Sequence, residues 1–144
     1  MRRLLDINTL IALCDPNHVH HERVSTWFED IARRAWASCP ITENGFIRIL
    51  SNPGYPGLSG SVSVAVQLLR ELRRHKGHEF WPDDYSIVAG SVNLSDGARS
   101  KNVTDLYLLG LAARKKSKLV TLDARIPAHL VSGGREAYEV VSSL

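Results

Sequence analysis

Along the 144-residue chain, short solid apolar runs take turns with apolar residues at helical spacing. Residues 3–5 form a brief apolar run ending at Asp6, which predicts a strand, and Asn8 or Thr9 can then cap a helix through Leu10, Ile11 and Leu13. Asp15, Pro16 and Asn17 predict a turn. Within residues 21–34, Val24, Trp27, Phe28, Ile31 and Ala32 recur at i, i+3, i+4, i+7 and i+8, the stripe of an amphipathic helix. Residues 35–39 read as a second strand, and Pro40, tolerated in a first turn, opens a helix through Leu50. The segment SNPGYPGLSG is a loop by composition. SVSVAV alternates like a strand, but Val62, Ala65, Val66, Leu69 and Leu72 keep helical spacing beyond it, so a helix is predicted. Residues 79–81 are a third strand, Pro82, Asp83 and Asp84 lead into a brief helix near 85–89, and residues 90–102 are a polar loop.

The stretch VTDLYLLGLAARKKSKLVTLD organises the C-terminal part of the chain. Thr104 is placed to cap a helix and Asp105 to complement its dipole, and the body from Leu106 to Ala113 is apolar nearly all round, as in a helix buried within a domain. Residues 119–122 then form a buried strand ending at Asp123, residues 126–130 a short helix and residues 138–141 a last strand. Strands alternating with helices imply crossovers, hence an α/β fold with a mainly parallel central sheet of four to five strands and helices on both faces, in one domain spanning 1–144. In such a layer a helix and the strand after it run antiparallel, which brings Asp105 and Asp123 to the C-terminal edge of the sheet, where open α/β folds place their sites.

Composition changes this picture little. The chain is 44% hydrophobic and 23% charged, as in an ordinary globular protein, and it contains no apolar run of about 18 residues that would span a membrane. Asp6 and Asn8 interrupt any signal-peptide core after Arg2 and Arg3, so a cytoplasmic location is expected. Cys14 and Cys39 lie in apolar segments and read as core residues of a reducing compartment. The net charge of +3 favours polyanions only slightly. Arg33 and Arg34, the group Arg70, Arg73, Arg74 and Lys76, and Arg114 to Lys118 are basic clusters that read singly as solvated helix ends.

Four acids stand in unusual company. Asp6 and Asp123 each close a hydrophobic strand, Asp105 starts the buried helix, and Glu43 shares a helical face with Phe46, Ile47 and Leu50. Each has a purely structural alternative: helix cap, first-turn acid or turn residue. Parallel strands put Asp6 and Asp123 on one sheet edge, however, and the helices starting there add Glu43 and Asp105. Two ionised carboxylates about 4 Å apart repel by roughly 4 kcal/mol at an effective dielectric constant near 20, so four together need a cation or extra protons. Acid-only oxygen donors suit hard ions, Mg²⁺ or Mn²⁺, which also bind phosphate oxygens.

LLDINTLIAL, ITENGFIRILSNP, HEFWPDD and VTDLYLLGLAARKKSKLVTLD, in this order, resemble the PIN-domain nucleases, and among them the VapC-type toxins of bacterial toxin-antitoxin systems. The resemblance implies a three-layer α/β/α sandwich and a Mg²⁺- or Mn²⁺-dependent endoribonuclease in which metal-activated water cuts an RNA phosphodiester, leaving a 5′-phosphate and a 3′-hydroxyl. By match to these motifs, Asp6, Glu43, Asp105 and Asp123 are the catalytic and metal-binding acids, with Asn8, Thr104 and Thr121 as supports. A small cognate antitoxin and a homodimer are implied in the same way. Two rivals remain: a receiver-like Mg²⁺-binding phosphoacceptor domain, which would want a lysine at a strand end near the acids whereas Lys118 opens its strand, and a PIN-like module that binds RNA without cutting it. His18, His20 and His21 read as exposed or capping residues rather than a metal site, Trp36, Trp81 and Tyr55 as packing rather than base-stacking residues, and nothing singles out Asp96 in its loop.

Overall fold

The computed structural model describes residues 1–57, 60–95 and 97–141, so Asp96 lies outside the described residues. Its five strands are β1 (Arg3–Leu5), β2 (Trp36–Ser38), β3 (His78–Phe80), β4 (Lys118–Thr121) and β5 (Tyr138–Val140). They form one all-parallel sheet in the order β3-β2-β1-β4-β5. The first half of the chain builds outward from β1 on one side and the second half on the other, which makes the β1/β4 pair the point where winding reverses. Open α/β sheets offer a crevice at the C-terminal ends of the strands at such a point.

Alternation along the strands explains the layers. Leu4, Ala37 and Leu119 face one core, with α5 (Val103–Arg114) and the segments around Trp81, Val92 and Ile126–Val131. Leu5, Trp36 and Val120 face the other, covered by α1 (Ile7–Cys14), α2 (His21–Trp27), α3 (Pro40–Leu50) and α4 (Val62–Arg73). The result is the three-layer α/β/α sandwich expected from the sequence. Helix α5 is buried from Leu106 to Ala112, which is why it carries almost no polar face. A short helix, α6 (Gly134–Ala137), leads into β5 and has no counterpart in the sequence pattern. Cys14 and Cys39 are both free thiols.

Several expectations need correction. The helix running to Ala32 changes to a π-helical turn over Phe28–Ala32, with Arg33 N–H donating to the Phe28 carbonyl at 2.8 Å. The wider turn rotates Ile31 off the apolar stripe and leaves it 51% exposed. Residues 85–89 form no helix; Tyr85 instead stacks on Tyr107 of α5 with ring centroids 4.5 Å apart, and its hydroxyl donates to the Tyr107 carbonyl at 2.6 Å. Arg114 lies 5.0 Å above the Tyr85 ring and Lys115 pairs with Asp84 at 3.7 Å, so the basic end of α5 is committed to this packing.

Candidate active site

The chain leaves β1 at Leu5 and turns at once into α1, and Asp6 makes the turn possible. Its Oδ1 accepts the Thr9 N–H at 2.8 Å, the bond of an N-cap, while its own N–H donates to the Val120 carbonyl of β4 at 3.0 Å. Asp6, rather than Asn8 or Thr9, therefore caps α1. The Thr9 hydroxyl donates to the same Val120 carbonyl at 3.3 Å. Asp6 is buried, and burial raises its pKa above the ordinary carboxylate range. Thr121 and Thr9, the latter through its backbone N–H, pull it back down, and the charge of Asp123 pushes it up again.

Asp105 lies in the first turn of α5. Burial, followed by the charges of Asp6 and Asp123, pushes its pKa up to about 6. Thr104 caps nothing: α5 follows directly from a 3₁₀ turn over Ser100–Asn102, so its first N–H groups already have a helical approach, and Asn102 occupies the cap position. Thr104 instead lines a cavity of about 200 Å³ together with Asp6, Asn8, Asp105 and Lys101.

Asp123 sits two residues past β4 in a turn of its own making. Its N–H donates to Thr121 Oγ1 at 3.0 Å, and its Oδ1 accepts the Arg125 N–H at 2.8 Å and Arg125 Nε at 3.3 Å. The Tyr138 hydroxyl ties the turn to β5 by donating to the Asp123 carbonyl and accepting the Ile126 N–H at 3.3 Å. The Tyr138 pKa is raised by burial first and also by the charges of Asp123, Asp105 and Asp6, which places its hydroxyl within the field of all three acids. No sequence signal marked this residue.

Glu43 stands apart from these three. Its Oε2 accepts from Ser38 Oγ at 2.6 Å and its Oε1 from Arg73 of α4 at 3.3 Å, and it lines none of the cavities that hold the aspartates. Ser38 Oγ is also 2.7 Å from His78 Nε2, and His78 has its pKa lowered to about 4 by burial and then by Arg73 and Arg2. Helical spacing gave Glu43 its face correctly, but a cation from the next helix holds the carboxylate. Among the described residues no three His, Cys, Asp or Glu side chains converge tightly enough to hold a metal ion by themselves.

Around the aspartates lie residues that no sequence pattern singles out. Arg99, Lys101 and Arg125 border Asp105 and Asp123 in a cavity of about 290 Å³. His18 and His20 border Asp123 and Asn8 in another of about 620 Å³. The loops that carry them have no periodicity to reveal their path. The basic clusters at Arg33–Arg34 and Arg74–Lys76 instead meet around a cavity of about 830 Å³ with Gly77, the residue before β3, at the opposite end of the strands. Lys118 is at that end too, its Nζ donating to the Glu136 carbonyl at 2.8 Å, so Lys118 does not stand by the acids.

An acidic crevice of this kind at the switch point has known counterparts. Residues 3–129 match the PIN domain family. Ribonuclease VapC39 of Mycobacterium tuberculosis is 42% identical over 127 residues, covering 88% of this chain and 91% of that protein. Ribonuclease VapC44 of the same organism is 42% identical over 139 residues, covering 96% and 97%, and ribonuclease VapC38 is 43% identical over 123 residues, covering 85% and 86%. With a match reaching from the first strand past the last of the three aspartates, this chain belongs to the PIN-domain family, in its VapC group.

Proposed function

We propose that this protein is an endoribonuclease that cuts RNA phosphodiester bonds with the help of Mg²⁺ or Mn²⁺ at Asp6, Asp105 and Asp123. The observation that carries the reading is the convergence of these carboxylates: Asp105 lines one cavity with Asp6 and the adjoining one with Asp123, and burial first, then the charges of Asp6 and Asp123, push it toward protonation. A divalent cation offsets those charges, and the donor set is all oxygen. Mg²⁺ keeps several waters and is commonly held through one or two direct carboxylates together with substrate phosphate. A bound ion of this type supplies the Lewis acidity that activates water and offsets charge on the phosphate.

The chain's own residues do the rest. Asp6 is held rigidly by the Thr9 N–H and by β4, so it fixes the floor of the site. Asp105 brings the second carboxylate on a helix too buried to shift. Asp123, half-buried in its own turn, is the third, with Thr121 and Tyr138 setting its backbone. Asn8 and Thr104 are exposed polar groups at the rim, suited to hold RNA or ordered water. Glu43 is the fourth acid of this proposal, held by Ser38 and Arg73. A small antitoxin that inhibits the enzyme, a homodimer and a cytoplasmic location belong to the same reading.

Asp6→Asn and Asp105→Asn each lower cleavage of RNA by at least about a hundredfold in purified protein with Mg²⁺ or Mn²⁺, the scale of a lost electrostatic stabiliser. Cutting at the wild-type level by both variants would sink the assignment. Binding of RNA without cleavage under either metal would support the RNA-binding reading instead.

A further inference from the structure

The aspartates do not sit in an isolated hole. Asn8, Asp105, Asp123, Lys101 and Arg125 are shared between neighbouring cavities, which makes one groove across the C-terminal edge of the sheet. One arm of the groove, about 620 Å³, is walled by the turn between α1 and α2 on one side and by residues 122–125 on the other. That volume lies in the range of small-molecule sites, about 300–1,000 Å³.

The wall is built, not loose. Asp15 Oδ1 accepts the Asn17 N–H at 2.9 Å, the Asp15 carbonyl accepts the His18 N–H at 3.0 Å, and the His18 carbonyl accepts the His21 N–H at 3.0 Å. The Tyr55 hydroxyl donates to Asp15 Oδ2 and ties the turn to the loop after α3. His18 Nδ1 accepts the His20 N–H at 3.0 Å, which fixes its ring and leaves Nε2 as the donor. The two imidazoles lie 5.7 Å apart, tilted at 45°, and Val19 between them is 86% exposed. Across the arm, Arg125 is anchored through its Nε to Asp123, and its side chain is otherwise almost fully exposed. Two flat rings, an apolar tip and a planar guanidinium line this one arm, a set that suits a flat, polar, aromatic group. Beside carboxylates that handle a phosphodiester, that group is a nucleobase.

We infer that His18, Val19 and His20 read the base of the nucleotide flanking the scissile phosphate, with Arg125 lining the same slot. The inference rests on the reading of the aspartates as an RNA-cutting site. It makes the α1–α2 turn a determinant of cleavage-site preference.

The test sequences the new 5′ ends produced from a randomised RNA pool by wild type, by His18→Ala/His20→Ala and by Val19→Asp, with Mg²⁺ present. Val19 projects into solvent, so its replacement leaves folding intact and keeps the test open should the double variant fail to fold. The expected result is a base preference at one position beside the cut that relaxes about tenfold or more in both variants, the scale of discrimination by one set of base-edge contacts. Identical preference profiles in wild type and Val19→Asp would overturn the inference. Asp6→Asn separates the two readings: wild-type cutting by that variant removes the catalytic assignment, whatever the profiles show. Should wild type cut no RNA in the pool, the same pool carrying 5-iodouridine is photocrosslinked to it; adducts on residues 18–20 support the slot, and adducts confined to other segments overturn it.

Discussion

Asp105 illustrates how the site trades stability for charge. Its pKa stands near 6 in the folded protein against an ordinary 3.8, so folding is penalised where the group must ionise. The sign is set by that direction: the protonated form's advantage is fully present below pH 3.8 and is lost as pH rises through 6. In the ion-free protein, Asp105→Asn therefore raises stability at pH 7.5 by about 1–2 kcal/mol, after allowance for solvent screening at this partly exposed position, and the gain vanishes near pH 4. Thermal melts of the two proteins at both pH values check this, against a gain of roughly 2–5 °C per kcal/mol for a chain of this size. On the proposed function the same substitution is expected to lower cleavage, the usual exchange between stability and activity. His78 works in the opposite sense: with its pKa held near 4, it withdraws stability as pH falls from 6.5 toward 4, and wild-type acid stability is the balance of the two. Tyr138→Phe removes the hydroxyl that holds the Asp123 turn. It costs about 1 kcal/mol of stability and roughly tenfold in cleavage rate, seen as a lower kcat because the acid is loosened while the groove remains.

Helix α5 is the element on which both core and site depend, and its fit is exacting at one point. A Cβ on Gly110 would lie 2.2 Å from the Tyr85 hydroxyl oxygen and 3.0 Å from the ring carbon that carries it. That ring is stacked on Tyr107 and covered by Arg114, so it has nowhere to retreat. Gly110→Ala is expected to cost about 1–3 kcal/mol through overpacking, in spite of alanine's better helix propensity. In a Tyr85→Ala background the same change becomes neutral or stabilising, and a double-mutant cycle by urea unfolding reads the coupling directly. A second close contact joins α3 to α1: a Cβ on Gly45 would lie 2.3 Å from Ile7 Cδ1 and 2.8 Å from Ile7 Cγ1, so the whole Ile7 side chain would have to shift.

At the scale of the molecule, the parts legible in the sequence were those under one-dimensional rules. Residues 3–5 and 40–50 came out at their observed limits, because a solid apolar run ends at a polar residue and Pro40 starts a helix cleanly. Asp6, Asp105 and Asp123 stood out because each terminates or begins a buried run, and a parallel sheet brings such positions to one edge. What stayed hidden depends on neighbours remote in sequence. Ile31 is turned out by a π-helical turn that shifts the period, Thr104 is relieved of capping by a preceding 3₁₀ turn, and residues 85–89 find their partner in α5 rather than in a helix of their own. Glu43 is captured by Arg73, and His18, His20, Arg99 and Lys101 reach the groove on loops whose course no periodicity encodes. The topology also predicts slow folding for a chain of this size, since β1 pairs with a strand formed far later; a stopped-flow refolding time in the millisecond-to-second range is expected, and microseconds would contradict it. Thr9 meets its partner Val120 only across 111 residues of chain. On a ribosome adding roughly 5–20 residues each second, about 6–23 s separate the synthesis of Asp6 from that of Asp123. A nascent chain thus carries its first carboxylate long before Asp105 and Asp123 exist, so the proposed site is completed only near the end of synthesis.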